Sequence, residues 1–190
     1  MSVDLTGGLS AEWEQVWASQ PDNPEQRESI NAWIWDDSGE FAIPRMGVEA
    51  PADHWDTHDI QVNLAFADGN VFSMYGPGPV HDPMGSDGQP RILGAGPLSL
   101  EIVEPYAHLR IRVDGMAQSM TVQEQMKGFF PGQTGGLEVP VRAEIDVRPV
   151  VPPWENGSMS PEAHHVLANE EEGGLVGYPW RFEQLCRATG

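Results

Sequence analysis

Apolar and polar residues alternate with a period of two along much of this chain, and this alternation limits how it can fold more than any other feature. The pattern is most regular in residues 57–66, "THDIQVNLAF". Side chains of a β-strand point alternately to opposite faces of the sheet, so this period predicts a strand with one buried face. One face carries His58, Ile60, Val62, Leu64 and Phe66, and the other carries Thr57, Asp59, Gln61 and Asn63.

Similar segments recur between residues 29 and 148, and about nine strands joined mainly by tight turns are expected. Asp68-Gly69 is the strongest hairpin signal among these turns. Two short helices are predicted, one near residues 10–19 and one near residues 160–168, each with a serine as N-cap. This pattern predicts an all-β fold, either an antiparallel β-barrel or a barrel-like sandwich, and the short links favour an up-and-down strand order. Residues 1–24 are assigned to an N-terminal helix and linker, and residues 25–190 to the barrel domain.

The alternation also assigns residues to the inside and the outside of the barrel. The predicted interior includes Ile60, Val62, Leu64, Ile111, Val113, Val141 and Ile145. His108, Arg110 and Arg112 are expected on the outer face. The stretch 76–96 is dense in Gly and Pro, which predicts a long surface loop rather than a strand.

Charge excludes several classes of partner. The chain of 190 residues has 29 acidic and 10 basic residues, a net charge of −19. Such a field repels phosphate backbones and anionic lipid surfaces, so neither nucleic acid nor a membrane is an expected partner. No apolar stretch has the length of a membrane span, and the N-terminus lacks the pattern of a signal peptide. The single cysteine, Cys186, forms no intramolecular disulfide, and we expect a soluble, cytoplasmic protein.

The segment 53–59, "DHWDTHD", carries the candidate catalytic residues His58, Asp56 and Asp59. His58 shares the face of the apolar row, so it is expected to point into the barrel near its rim, with Trp55 behind it. Beside Asp56 or Asp59, such a histidine would act as a general acid or base on an apolar ligand. The simpler interpretation is a hydrogen-bonded histidine at the rim with no chemistry.

The same segment raises the possibility of a metal site, because His54 and His58 are four residues apart. On a strand that spacing separates them by roughly 13 Å, which is too far for one ion. His164 and His165 are adjacent and give only a weak metal signal. We therefore predict neither a metal nor any other cofactor.

Aromatic residues supply the candidate ligand contacts. Trp33, Trp35 and Tyr75 offer apolar surface with polar tips, which suits the wall of a hydrophobic pocket, although such residues also serve as core. Trp55, behind His58, and His81, in the loop 76–96, complete the predicted set, since long loops at a barrel mouth often contact ligands.

Three segments together resemble a known family: "HDIQVNLAFADGNVFS", "SLEIVEPYAHLRIRVDG" and "GYPWRFEQLCRATG". They are similar to the carotenoid 1,2-hydratase (hydroxyneurosporene synthase)-like family, whose members contain two consecutive lipocalin-like, or calycin, barrels. The resemblance covers residues 25–190, and it implies that the chain corresponds to the first barrel. It transfers no catalytic residue, because none of the family's catalytic positions is matched here.

These observations leave three functions open. A lipocalin-like barrel has room for one small, largely apolar ligand, such as an isoprenoid, a steroid or an aromatic molecule. The alternative is a hydratase or lyase that acts on a carbon–carbon double bond through a His/Asp pair. The third is a structural half that needs a second barrel, with a homodimer as another possible assembly. Whether the chain is an enzyme stays open at this point.

Overall fold

The computed structural model describes residues 3–155 and 181–190. Eleven strands lie within these residues, and most of them follow the alternating segments of the sequence. They are β1 (Arg27–Trp35), β2 (Phe41–Pro51), β3 (Thr57–Phe66), β4 (Asn70–Pro79), β5 (Ile92–Ala95), β6 (Leu98–Glu104), β7 (His108–Thr121), β8 (Glu138–Pro149), β9 (Trp154–Glu155), β10 (Phe182–Glu183) and β11 (Cys186–Thr189).

Nine of these strands form one antiparallel sheet that curls into a nearly closed, lipocalin-like barrel. Its order is β1-β2-β3-β4-β7-β6-β5, with β8 on the other edge of β7 and β11 beyond β8. A bridge between Val80 and Ala95 brings β5 back to the end of β4. The separate pair β9–β10 is also antiparallel. The all-β prediction is confirmed.

The predicted up-and-down order is wrong at one point, because β4 is next to β7 rather than β5. Strand β7 has 14 residues, which is long enough to serve two partners along one edge. Its first half pairs with β6, and its last residues, from Gln118 to Thr121, pair with the start of β4. The β5–β6 hairpin therefore fills the gap that opens where β4 diverges from β7.

The barrel interior contains the residues that the alternation predicts. Ile60, Val62, Leu64, Ile111 and Val113 are buried, and Val141 and Ile145 are half-buried against the same core. On β1, the row Ile30, Ala32 and Ile34 packs on this core. The face assignment from the period of two is therefore correct along several strands.

The stretch 76–96 is only partly the loop that its composition predicts. Strand β4 continues to Pro79, and β5 begins at Ile92. A Cβ atom on Gly78 would lie 2.9 Å from the backbone nitrogen of Gly96, so glycine lets the two backbones approach closely. The glycines that indicate a loop in the sequence here serve the pairing of strands.

Helical structure is short. Residues Ala11–Glu14 form a 3₁₀-helix with Ser10 as N-cap, where an α-helix was expected. An unpredicted helix, α1 (Val122–Met126), starts with a capping box in which Thr121 and Glu124 bond each other's backbone N–H groups. The helix predicted near residues 160–168, with His164 and His165, lies outside the described residues. Among the residues described, no helix is long and apolar enough to cross a lipid bilayer.

Residues 10–20, here called the N-terminal strap, cross one end of the barrel. Val16 is buried in the main core, so the strap belongs to the folded body. Hydrogen bonds attach it to three separate elements. Tyr106 Oη donates to the carbonyl of Ser10 (3.3 Å), the backbone N–H of Val16 donates to the carbonyl of Pro90 (3.3 Å), and Gln20 Nε2 donates to the carbonyl of Ala52 (2.6 Å). The strap thus links the β6–β7 turn, the start of β5 and the end of β2.

Candidate functional site

His58 is the second residue of β3 and points into the end of the barrel that the N-terminal strap covers. Its side chain is only 3% exposed, as its place in the apolar row predicts. The ring of Trp55 meets it edge-on, with ring centroids 5.2 Å apart. Local sequence explains this arrangement, because a 3₁₀-helix (Ala52–His54) turns the chain just before β3 and leaves Trp55 beside the first inward position.

A small cavity, here called the inner cavity, lies beside His58. Its volume is about 40 Å³, enough for a water-sized group. Its walls are mostly apolar and come from the strap, β5 and the end of β4; they include Trp17, Trp55, Val80, His81, Ile92 and Leu93. Neither ring nitrogen of His58 has a hydrogen-bond partner within the described residues. A buried polar group in that state costs about 1–3 kcal/mol, so a bound polar group at this point would be stabilising.

Burial lowers the pKa of His58, and the neighbouring His81 lowers it further. The backbone of Gly94, which comes near the imidazole without reaching hydrogen-bond geometry, and the charge of Asp59 oppose this shift without reversing it. His81 is itself held in place, since its backbone N–H donates to the Gly94 carbonyl and its ring Nε2 lies 3.0 Å from the Gly96 carbonyl oxygen. The His58 imidazole is therefore neutral near pH 7, with one N–H donor and one acceptor nitrogen.

The structure does not bring Asp56 or Asp59 into hydrogen-bonding contact with His58. Asp56 is exposed, and Asp59 occupies the opposite face of β3, as its parity requires. The Asp59 carboxylate lies 3.8 Å from Nε2 of His54, whose Nδ1 is 2.6 Å from Asp53. His54 thus stays on the outside while His58 turns inward. Across the part of the chain that the structure describes, no three His, Cys, Asp or Glu side chains are grouped to hold a metal.

Of the predicted ligand contacts, Trp55 and His81 line the inner cavity with His58, and the other three do not. Trp33 and Trp35 are 57% and 67% exposed on the outer face of β1. The sequence leaves open which of the two apolar faces of β1 turns inward, and the aliphatic row takes that position. Tyr75 is also exposed and belongs to a different depression.

That depression, here called the outer cleft, has a volume of about 260 Å³ on the outer faces of β3 and β4. Helix α1 and the segment after it form its other wall. Its lining includes Gln61, Asn63, Ser73 and Tyr75 from the strands, and Gln125 and Phe130 from the covering segment. The outward polar positions are visible in the sequence, but their meeting with residues of a distant segment is not.

Two half-buried carboxyl groups hold the N-terminal strap, and sequence reasoning missed both. The Glu14 carboxylate accepts a hydrogen bond from the N–H of Tyr106. Burial raises the pKa of Glu14 to about 7, although that hydrogen bond and the charge of Arg91 each lower it. Burial likewise raises the pKa of Glu28 to about 7, although hydrogen bonds from the backbone N–H groups of Ser29 and Trp17 lower it. The strap is therefore attached through groups that titrate near neutral pH.

A His–Asp pair does occur, but on the outer face of β7 and β8. Nε2 of His108 and Nε of Arg110 both bond the same oxygen of Asp146. The bond to His108 contributes most to lowering the pKa of Asp146, followed by the bond to Arg110. His108 has the outward parity that the alternation predicts, yet it is buried. This cluster joins two neighbouring strands, since β7 and β8 pair at Arg110 and Asp146.

Comparisons with protein-family models, curated proteins and solved structures found no match to this chain. The resemblance to the carotenoid 1,2-hydratase-like family is therefore still a prediction, and the geometry of the sites carries the functional argument.

Proposed function

We propose that this protein binds a small, largely apolar molecule that carries one polar group, at the end of the barrel beneath the N-terminal strap. The observation that carries this proposal is the buried His58 imidazole, which has no hydrogen-bond partner among the described residues and faces a cavity with aromatic and aliphatic walls. Apolar pockets with a few placed polar groups are typical of small-molecule sites.

The two ends of the ligand would have different surroundings. A hydroxyl or carbonyl group fits the inner cavity and would bond the neutral imidazole of His58. The apolar body needs more room than about 40 Å³. Trp17, which lines the inner cavity from the strap, occupies the adjoining space and would move aside when the ligand binds.

Binding is favoured over hydration of a double bond. Acid–base catalysis by a His/Asp pair at His58 would need the carboxyl group within hydrogen-bonding reach of the imidazole or of the ligand. Asp56 and Asp59 do not contact the imidazole, and Asp59 influences it only through its charge. The residues around the inner cavity supply orientation and apolar contact.

The test uses N-phenyl-1-naphthylamine, a neutral fluorescent probe that a net charge of −19 does not repel. We expect the probe to bind with an increase in fluorescence. His58→Ala should weaken binding about tenfold, the upper range for one lost hydrogen bond. Trp17→Ala should strengthen it, because it removes the side chain that occupies the ligand's space.

His54→Ala is the matched control, since His54 belongs to the same segment but is exposed. It should leave the affinity for the probe unchanged. Circular dichroism spectra would show that each variant keeps the fold. Equal affinities of the native protein and the His58→Ala and Trp17→Ala variants would contradict the proposed site.

A further inference from the structure

We propose that the outer cleft is a second binding site, which takes one neutral pyranose ring of a saccharide. This site does not depend on the inner cavity, because the two lie on opposite faces of β3. The inference rests on four properties of the outer cleft: its lack of charge, its amide groups, its aromatic surface and its size.

The lining of the outer cleft has no charged side chain, although the chain has 29 acidic residues. A charged ligand would lose part of its hydration here without gaining an opposite charge. A neutral ligand with many hydrogen-bonding groups meets no such penalty. This favours a polyhydroxylated molecule over a nucleotide, a phosphate or an amine.

The amide groups are arranged to bind hydroxyls. Asn63 Oδ1 accepts hydrogen bonds from Ser73 Oγ and from Gln125 Nε2, the latter at 3.2 Å. These bonds fix the Asn63 amide and leave its NH₂ group as a donor. Gln61 lies next to it on the same face of β3, and its amide makes no hydrogen bond to any described residue. Each amide both donates and accepts, as a sugar hydroxyl does.

The aromatic surface suits the C–H face of a sugar. The rings of Tyr75 and Phe130 are 5.3 Å apart and tilted by 37°. Both are about half exposed, at 59% and 52%. A flat ring placed between them would need about 7 Å, since carbon atoms in contact are 3.5 Å or more apart. The two rings therefore form one exposed surface on which a sugar can pack, and they are too close together for an aromatic base to fit between them.

The size of the outer cleft fits a single substituted ring. Its volume is about 260 Å³. Benzene occupies an apolar cavity of about 150 Å³, and drug-sized ligands occupy pockets of about 300–1,000 Å³. A pyranose with its hydroxyl groups is larger than benzene and smaller than a drug-sized ligand, so it suits a cleft of this volume. Because the aromatic rims are exposed, a sugar at the end of a longer glycan would also enter.

The experiment is a titration of the full chain followed by amide proton–nitrogen NMR correlation spectra. The ligands are glucose, galactose, mannose and N-acetylglucosamine, each as the free sugar and as the terminal unit of an oligosaccharide. Concentrations of up to about 50 mM would reveal even millimolar affinity. At least one sugar should shift the amide signals of Gln61, Asn63, Tyr75 and Phe130 and leave that of His58 unchanged. A comparison of the free sugar with its oligosaccharide shows which of the two binds more tightly.

Variants separate this site from general surface binding. Phe130→Ala and Gln61→Ala should each weaken the affinity for that sugar about fivefold, through lost aromatic contact and lost hydrogen bonds. Trp35→Ala is the control, because it removes an exposed aromatic residue from the outer face of β1 and should change nothing. The proposal is overturned if no sugar shifts the outer-cleft signals, or if neither Phe130→Ala nor Gln61→Ala weakens binding. Shifts with neutral adenine but with no sugar would also overturn it.

Discussion

The two faces of β3 differ in almost every property that governs binding. The inner face has a buried histidine, a cavity of about 40 Å³ and an N-terminal strap held by two titrating carboxyl groups. The outer face has a cleft of about 260 Å³ with amide and aromatic walls and no charge. Consecutive residues, such as Gln61 and Val62, therefore have different surroundings, the outer cleft and the barrel core.

This difference shows that burial and chemistry are set separately on each side of a single strand. The inner site is closed and must rearrange before a ligand larger than a few atoms enters. The outer cleft needs no such change. We therefore expect binding at the inner site to depend on pH and on the N-terminal strap, and binding at the outer cleft to depend on neither.

The largest expected contrast is in stability. Leu64→Ala removes a buried side chain from the inner face and should lower the free energy of unfolding by about 2–4 kcal/mol. Gln61→Ala, three residues earlier on the outer face, should change it by less than about 0.5 kcal/mol. Urea denaturation measures both. Equal losses would mean that the two faces are not distinguished by burial.

The next effect concerns Glu14. Its pKa is raised to about 7 in the folded protein, from 4.5. The protonated carboxyl therefore contributes stability that is fully present below pH 4.5 and is lost as pH rises through about 7. Glu14→Gln should be more stable than the native protein by about 1–3 kcal/mol at pH 8, and equally stable at pH 4.

Glu28→Gln should behave in the same way, because the pKa of Glu28 is raised by the same cause. His58 has the opposite sign: its lowered pKa contributes stability above 6.5 that is lost as pH falls toward the folded value. Denaturation of the variants across this range separates these contributions. A Glu14→Gln variant that gains nothing at pH 8 would show that Glu14 is solvated.

A smaller effect should appear in binding. Above pH 7 the charged carboxylates weaken the attachment of the N-terminal strap, so N-phenyl-1-naphthylamine should bind more tightly at pH 8 than at pH 6, by about tenfold at most. Binding of a sugar at the outer cleft should stay constant over this range. If the affinities for the probe and for the sugar change together with pH, the predicted difference between the two faces of β3 is wrong.

The smallest expected effect concerns the metal content of the protein, for which we expect no bound zinc. His54 and His58 point to different sides of β3, so purified protein should contain no stoichiometric zinc. Elemental analysis measures this directly. One bound metal per chain, lost in the double variant His54→Ala, His58→Ala, would show that these side chains converge.

The period of two predicted the interior rows and the inward position of His58, because these depend on local geometry along one strand, and the Asp68-Gly69 turn signal predicted the hairpin between β3 and β4. It could not predict the inner cavity, which requires Trp17 of the N-terminal strap to lie beside the same cavity as His58. The outer cleft was missed for the same reason, since Gln125 and Phe130 come from a distant segment. Gly78 misled the loop assignment, because close approach of two strands and a turn both favour glycine.

Titration of the His58 imidazole by NMR tests the central claim most directly, namely that a buried, unpartnered histidine forms the polar end of a site for an apolar ligand. The spectra would be recorded with and without N-phenyl-1-naphthylamine, and His54 in the same sample provides an exposed reference. We predict a pKa of His58 below its usual value of 6.5 and a clear change of its signals when the probe binds. A pKa at the usual value, with signals that the probe leaves unchanged, would contradict the account.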